Sequence, residues 1–130
     1  MSDTRAGTGT IRDDHRETLD LRERRASLPD RSLIERAAGF FRGMADPTRM
    51  RILTALEQQP TCVGDLCILL EVEQSAVSHQ LRLLRELNLV ASERRGRHVV
   101  YSLQDEHVSR LVREAVAHAA HHSHAADPAR

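Results

Sequence analysis

Two clusters of metal-ligand side chains stand near the end of the chain. Asp105 and His107 begin an amphipathic run, and His118 and His121 close it. On a helix that rises about 1.5 Å per residue, His107 and His118 face roughly the same way but lie ~16 Å apart. Because each ligand of a zinc ion lies about 2 Å from the metal, one ion cannot join both clusters within a single chain. Two such helices packed antiparallel would bring the clusters together, so the sequence predicts an intersubunit metal site repeated by twofold symmetry.

The chemistry of this donor set limits the choice of metal. One carboxylate and three imidazoles form a tetrahedral set suited to Zn(II). His122, four residues after His118, is an alternative to His121. Extra histidines beyond the helix would complete six-coordination for Ni(II) or Co(II). Taken singly, each group also has an ordinary interpretation, the carboxylate as a helix cap and the later histidines as a solvated tail.

The cysteines offer a weaker candidate site. Cys62 and Asp65, three residues apart, provide a thiol and a carboxylate, which make only half a metal site. Two cysteines are too few and too close for a disulfide framework, so Cys62 and Cys67 are expected to be reduced. A zinc hydrolase would need an open coordination position and a general base in a cleft. Nothing in the sequence supplies that cleft, and we expect neither enzymatic activity nor a small-molecule substrate.

A polar stripe on a predicted helix, Gln74 to Leu87, points to nucleic acid. Its side chains are short enough to let the backbone approach DNA, and their donors and acceptors suit base edges and phosphates. The alternative is an ordinary solvated face. The residues predicted to contact DNA are Ser75, Ser78, His79, Gln80 and Arg82 on this helix, with Arg95 and Arg97 beyond it.

Local charge favours the DNA interpretation. The whole chain is neutral, with 19 basic and 19 acidic residues, so overall charge gives no argument for nucleic acid. Between Gln74 and Tyr101, however, five arginines face only two acidic residues, Glu86 and Glu93. Phosphate contact is the natural use of such a basic stretch.

The segments before this stretch are predicted to be helices. Asp30 and Asp46 suit helix caps, and Pro47 suits the first helical position after Asp46. Thr61 is predicted to cap a short third helix, Cys62 to Leu70. The first helix has apolar residues at three-four spacing, which predicts a core helix. These residues are Leu33, Ile34, Ala37, Ala38, Phe41, Met44 and Ala45.

The order of the later elements is typical of a helix-turn-helix with a wing. The short third helix, a three-residue break and the two-faced helix follow the helix-turn-helix plan. Gly96 suits a tight hairpin between strands predicted at residues 89–93 and 98–103. The last helix is predicted to start near Asp105, and its apolar stripe suits either the core or a twofold helix pair. The stripe consists of Val108, Leu111, Val112, Ala115, Val116 and Ala119.

At 130 residues the chain is expected to form one domain. We predict a mainly α fold with a small β-hairpin, a homodimeric winged helix-turn-helix. Residues 1–29 are predicted to be a flexible N-terminal segment, residues 30–122 the DNA-binding and dimerisation domain, and residues 123–130 a disordered tail. No apolar run approaches the ~18 residues of a membrane span, so a cytoplasmic protein without a membrane partner is expected.

Four short runs carry a family resemblance. They are Cys62-Val63-Gly64-Asp65-Leu66, Ser75-Ala76-Val77-Ser78-His79-Gln80-Leu81, Gly96-Arg97-His98-Val99-Val100-Tyr101 and Leu103-Gln104-Asp105. Over roughly residues 30–122 the chain resembles the ArsR/SmtB family of metal-sensing winged-helix repressors. The resemblance implies a homodimer that binds operator DNA when metal-free and releases it on binding metal. Members of the family usually control genes for metal efflux or sequestration.

The resemblance also implies which residues bind the metal. The zinc-sensor site on the terminal helices of the family falls on Asp105 and His107 of one chain with His118 and His121 of the other. The thiol-rich sensors of arsenic, cadmium or lead carry Cys-Val-Cys in the third helix, where the second cysteine is replaced here by Gly64. This replacement speaks against soft-metal sensing.

Zinc is therefore the expected effector, and two alternatives stay open. Nickel- and cobalt-sensing members of the family add ligands from flexible termini, and His15, His122 and His124 would provide such ligands. A thiol-based sensor of arsenite or redox state would instead use Cys62 and Cys67 on the same scaffold.

Overall fold

The structure, a computed structural model, describes residues 20–122. The chain divides between Arg36 and Ala37 into two compact units. In the first unit, residues 20–27 form a helix, α1. Helix α2 (Arg31–Met44) begins there and continues into the second unit. The predictions for residues 1–19 and 123–130 lie outside the described residues.

The second unit contains the elements expected of a winged helix-turn-helix. After α2 come α3 (Pro47–Gln58), β1 (Thr61–Cys62), α4 (Val63–Leu70), α5 (Gln74–Glu86), β2 (Val90–Arg95), β3 (His98–Leu103) and α6 (Glu106–His121). Helices α4 and α5 are joined by three residues, as predicted. None of the helices within residues 20–122 has the length and apolarity needed to cross a bilayer.

The predicted aspartate caps are confirmed. Asp30 Oδ1 accepts a hydrogen bond from the backbone N–H of Leu33 at 2.8 Å. Asp46 Oδ2 accepts one from Arg49 at 3.0 Å, with Pro47 in the first helical position of α3. Each cap satisfies an amide that has no partner within its own helix.

The prediction that Thr61 caps the third helix was wrong. The cap position of α4 is Cys62, which makes no side-chain cap bond, and the Thr61 hydroxyl donates to the Gln59 carbonyl at 2.8 Å. Thr61 and Cys62 instead form β1, which pairs antiparallel with Tyr101 and Val100 of β3. The hairpin of β2 and β3, which is the wing, is therefore part of a three-stranded sheet in the order β1-β3-β2. This sheet connects the start of α4 to the wing.

The apolar core lies between the helices and this sheet. Its fully buried members include Leu53 of α3, Leu66 of α4 and Leu81 of α5. The prediction that the whole apolar stripe of α2 lies in the core was wrong. Met44 is buried, but Leu33, Ile34 and Phe41 are 47%, 50% and 57% exposed in the single chain. The spacing had identified an apolar face correctly but not what covers it.

Candidate metal and DNA-binding sites

The two N-terminal metal-ligand candidates lie together at the start of α6. Asp105 is the cap residue of this helix, and its Oδ1 atom accepts a hydrogen bond from the Val108 amide at 3.0 Å. The same oxygen lies 3.8 Å from Nδ1 of His107. The His107 side chain is 83% exposed and that of Asp105 is 51% exposed, so both are accessible from outside the chain.

The two C-terminal candidates lie in the last turn of α6, with a third histidine next to them. The ring of His122 contacts that of His118, with centroids 4.5 Å apart, and that of His121, with centroids 5.0 Å apart. All three residues are exposed. Helical spacing offers His121 and His122 as alternatives beside His118, and the ring contacts place all three histidines in one cluster.

Within the described part of a single chain, no group of three or more histidine, cysteine or carboxylate side chains is arranged to hold one metal ion. The fifteen-residue rise from His107 to His122 amounts to ~22 Å of helix, far beyond the reach of one ion. The two ends of α6 thus each present an incomplete set of ligands.

An apolar strip runs along α6 between the two clusters. Val108 and Val112 are buried against the core. Leu111 is 38% exposed and Val116 is 45% exposed, and the neighbouring Ala115 is exposed as well. The predicted stripe is therefore divided between a core-facing part and an open part.

A charged cluster joins α6 to α3. It was not predicted from the sequence. Arg113 donates to Glu57 Oε2 at 2.9 Å, to Glu106 at 3.3 Å and to the Ser109 hydroxyl at 2.8 Å. The spacing of Glu106, Ser109 and Arg113 is helical and could have revealed the intrahelical part. Glu57 lies 56 residues before Arg113, and no local signal links them.

These bonds have a defined electrostatic effect. The hydrogen bond to Glu57, followed by that to Glu106, raises the pKa of the Arg113 guanidinium above its ordinary value. Because the pKa is raised, the stability that these hydrogen bonds give the folded protein is lost only when the pH rises through the raised pKa of Arg113. Arg113 therefore stays charged, and adds no pH dependence, near neutrality.

The predicted DNA-contacting face of α5 is largely open. Ser75, His79 and Arg82 are exposed, and Ser78 is partly exposed. Val77, Leu81 and Leu84 on the opposite face are fully buried. The helix therefore has one face fixed in the core and one face free.

Gln80 differs from the other predicted contacts because it already has a partner. It is partly buried, and its Oε1 atom accepts a hydrogen bond from Nη1 of Arg49 at 3.1 Å. Arg49 was not among the predicted functional residues. It lies 31 residues before Gln80, and the sequence carried no signal for this contact.

The wing is a tight hairpin whose tip is basic. Gly96 and Arg97 form the two-residue turn, and Gly96 has a φ of +64°. Arg97 is exposed, whereas Arg95 makes an ion pair with Glu93 at 3.3 Å. To contact DNA, Arg95 would therefore have to break an ion pair, whereas Arg97 would not.

Both cysteines are free thiols and partly buried. Cys62 and Asp65 lie beside the wing, on a shallow pocket that His98 and Arg95 also line. At this pocket, the described residues do not form a group of three or more side chains that could hold a metal ion.

Comparison with known proteins identifies the family. The profile of the bacterial regulatory protein arsR family matches residues 46–92, which run from the cap of α3 into β2. The HTH-type transcriptional regulator NmtR of Mycobacterium tuberculosis is 45% identical over 103 residues, covering 79% of this chain and 86% of NmtR. This chain belongs to the ArsR/SmtB family. The predicted family membership is confirmed.

Two further proteins are similar to this ArsR-family chain, one in sequence and one in structure. A transcriptional repressor SmtB homolog from Synechocystis is 50% identical over 84 residues, which span 65% of this chain and 64% of the Synechocystis protein. The homodimeric winged helix-turn-helix DNA-binding domain of Mb0332 from Mycobacterium bovis superimposes with a TM-score of 0.65 at 25% identity, covering 75% of this chain and 94% of that domain. The predicted winged helix-turn-helix fold is confirmed.

Proposed function

We propose that this ArsR-family protein is a metal-responsive transcriptional repressor. As a metal-free homodimer it binds operator DNA, and it releases the DNA on binding Zn(II) at two intersubunit sites. Each site takes Asp105 and His107 from one subunit and His118 and His121 from the other. The genes under its control serve metal efflux or homeostasis.

The distribution of ligands along α6 carries this proposal. Each end of the helix presents exposed donors, and within residues 20–122 neither end of one chain holds a complete site. One carboxylate with three imidazoles matches the tetrahedral preference of Zn(II). A pair of antiparallel α6 helices would use all four donors and generate two equivalent sites.

The open apolar surface supports the dimer. Leu111 and Val116 lie between the two ligand clusters and remain substantially exposed in the single chain. Phe41 on α2 is more exposed still. Burial of large apolar side chains is the main driving force of stable subunit association. The structurally similar Mb0332 domain is homodimeric, which favours the same assembly here.

The DNA-binding part rests on α5 and the wing. A winged helix-turn-helix places its second helix in the major groove, and a dimer does so at two half-sites about one helical turn apart. The exposed Ser75, His79 and Arg82 face outward for base or phosphate contact, and Arg97 extends the basic surface at the wing. Gln80, Ser78 and Arg95 complete the proposed set.

Coupling between the two sites follows from thermodynamics. The dimer populates two shapes that differ in their fit to DNA, and metal favours one of them only by its higher affinity for that shape. Binding of DNA must then lower the affinity of the protein for metal by the same factor by which binding of metal lowers its affinity for DNA. Coupling free energies of allosteric proteins are typically about 1 to 3 kcal/mol, so release is graded rather than absolute.

Substitution of a single ligand tests the proposal. In His118→Ala we expect operator binding to persist in the presence of a chelator, and release by zinc to disappear. Fluorescence anisotropy of a labelled duplex at buffered free zinc measures both. His122→Ala tests the choice of the fourth ligand, and with His121 in the site it should respond as the wild type does. Release of DNA by His118→Ala at the wild-type zinc concentration would exclude these ligands as the sensor.

A Ni(II) or Co(II) response is the second candidate, and the ring contacts of His122 favour it. His122 adds an imidazole beside both His118 and His121, as a site with more than four ligands requires. Competitive titration with zinc, cobalt and nickel separates the two. The d-d absorption of bound Co(II) distinguishes four- from six-coordination, and loss of the six-coordinate spectrum in His122→Ala would identify His122 as a ligand. A response abolished only in the double variant Cys62→Ser, Cys67→Ser would point to the thiols instead.

A further inference from the structure

The side chain of Arg49 connects three helices of the second unit. Its Nε atom donates to the Gly43 carbonyl in the last turn of α2 at 2.7 Å. Its Nη1 atom donates to Oε1 of Gln80 on α5 at 3.1 Å. Its backbone amide, in the first turn of α3, donates to Asp46 at 3.0 Å. The guanidinium is therefore held at both ends and partly buried.

The chemistry of arginine determines how the Gln80 amide is oriented. A guanidinium has only donors, so the oxygen of the Gln80 amide must face Arg49. The NH2 group of the amide then projects on the other side of the Cδ atom. Gln80 lies one residue after the exposed His79 and two residues before the exposed Arg82. Its two N–H donors are thereby aimed by Arg49 rather than free to rotate.

The carbonyl that anchors Arg49 belongs to a closely packed residue. Gly43 is buried, and a Cβ atom added there would collide with Leu87 at the end of α5 and press on Leu89. Gly43, whose carbonyl receives Arg49, therefore packs against the end of the same helix that carries Gln80. Because Arg49 is held by the Gly43 carbonyl, its hydrogen bond restricts the Gln80 side chain. Gln80 then loses less conformational entropy when it binds a partner.

We propose that Arg49 is a positioning residue that presents the NH2 group of Gln80 to a hydrogen-bond acceptor on DNA. This inference rests on the proposed DNA-binding function of α5. The acceptor is either a phosphate oxygen or an acceptor atom on a base edge in the major groove. Arg49 itself does not touch the DNA and acts through Gln80.

A double-mutant cycle on DNA binding tests this role. The variants are Arg49→Met, Gln80→Met and the double variant, and the probe is a duplex enriched by the wild-type protein from a randomised pool in the presence of a chelator. We expect each single variant to bind about 10-fold more weakly, the effect of removing one hydrogen bond from each subunit. The double variant should bind no more weakly than either single variant, since both remove the same interaction. If the two single effects multiply in the double variant, Arg49 does not act through Gln80 and the inference is overturned.

Two controls separate positioning from a merely structural role. Gln80→Glu keeps an acceptor for Arg49 and should retain the wild-type midpoint of thermal unfolding while losing DNA affinity. Gln80→Glu with unchanged DNA affinity would contradict the inference. Arg51→Met, which removes an exposed guanidinium from the same helix, should leave affinity unchanged. If Arg49→Met does not fold, Arg49→Lys replaces it, because the single ammonium group of lysine lacks the fork of donors with which the guanidinium reaches the Gly43 carbonyl and Gln80.

The same experiment identifies the acceptor and separates this inference from the function on which it rests. Duplexes changed at one base pair at a time identify the acceptor. For a phosphate acceptor, Gln80→Met loses the same factor of affinity on every duplex, whereas for a base acceptor the loss disappears only on the duplex in which the contacted base pair is changed. Either pattern supports the proposal. A wild-type protein that enriches no duplex would overturn the proposed function and this inference together. A wild-type protein that binds DNA while the single effects multiply would overturn this inference alone.

Discussion

Nδ1 of His107 lies 3.8 Å from Oδ1 of Asp105, the same oxygen that caps the first turn of α6. One carboxylate therefore has a structural task and, in the proposed function, a metal-binding task. The two tasks make different demands, because a helix cap needs an oxygen acceptor whereas a zinc ligand benefits from negative charge.

Substitution of Asp105 by asparagine should separate these tasks. Asparagine caps helices about as well as aspartate, so Asp105→Asn should keep the wild-type thermal stability. It should nevertheless weaken zinc binding and abolish zinc-induced release of DNA, because the neutral amide is a poor ligand. Asp105→Ala should lose the zinc response and, in addition, about 1 kcal/mol of stability through loss of the cap. A normal zinc response in Asp105→Asn would remove this residue from the ligand set.

The two wing arginines should contribute unequally to DNA binding. Arg97 is exposed, whereas Arg95 must leave Glu93 before it can bind a phosphate. We therefore expect Arg97→Ala to weaken binding to all sequences more than Arg95→Ala, and Glu93→Gln to strengthen it. Because the dimer carries each arginine twice, substitution of one phosphate-binding arginine should reduce the slope of log affinity against log salt by about 1.8. Arg51→Ala serves as a charge-matched control, and a slope unchanged in the double wing variant would exclude phosphate binding by these residues.

Two leucines of α4 should differ sharply in their effect on stability. Leu66 is fully buried and Leu69 is 56% exposed, although they lie on one short helix. Leu66→Ala should lower the free energy of unfolding by about 2 to 5 kcal/mol through the cavity it leaves. Leu69→Ala should change it by less than about 0.5 kcal/mol. Denaturant titration at one fixed protein concentration measures both, and equal effects would contradict the packing described for α4.

The same glycine-to-alanine substitution should have opposite effects at two positions. Gly96 has a φ of +64°, and a Cβ there would meet no other atom within 4 Å. Gly96→Ala should therefore cost about 1 to 2 kcal/mol through backbone strain alone. Gly64 has the same free space but lies in α4, where alanine is the better helix former, so Gly64→Ala should stabilise by up to about 1 kcal/mol. Circular dichroism on heating gives the sign of each effect, and a stabilising Gly96→Ala would rule out the proposed strain.

Features set by local chemistry were predicted well from the sequence. The caps at Asp30, Asp46 and Asp105 each depend on residues no more than three positions away. The turn at Gly96 is equally local. These signals were sufficient to recover α2, α3, α5, α6 and the hairpin.

Features that depend on distant partners were not recovered. Strand β1 contains only two residues, too few for any periodicity, and it exists because Thr61 pairs with Tyr101, forty positions away. The exposure of Phe41 was missed because spacing defines a face without defining its neighbour. The hydrogen bond between Arg49 and Gln80 likewise joins residues that are brought together only by packing.

If the protein acts as proposed, the buried Gly43 offers natural variation an indirect way to adjust gene control. A residue with a side chain at this position would have to displace the side chain of Leu87, the residue that ends α5. In the proposed repressor, evolution would thereby retune how tightly a promoter is held while leaving every residue of the proposed DNA-binding and metal sites unchanged.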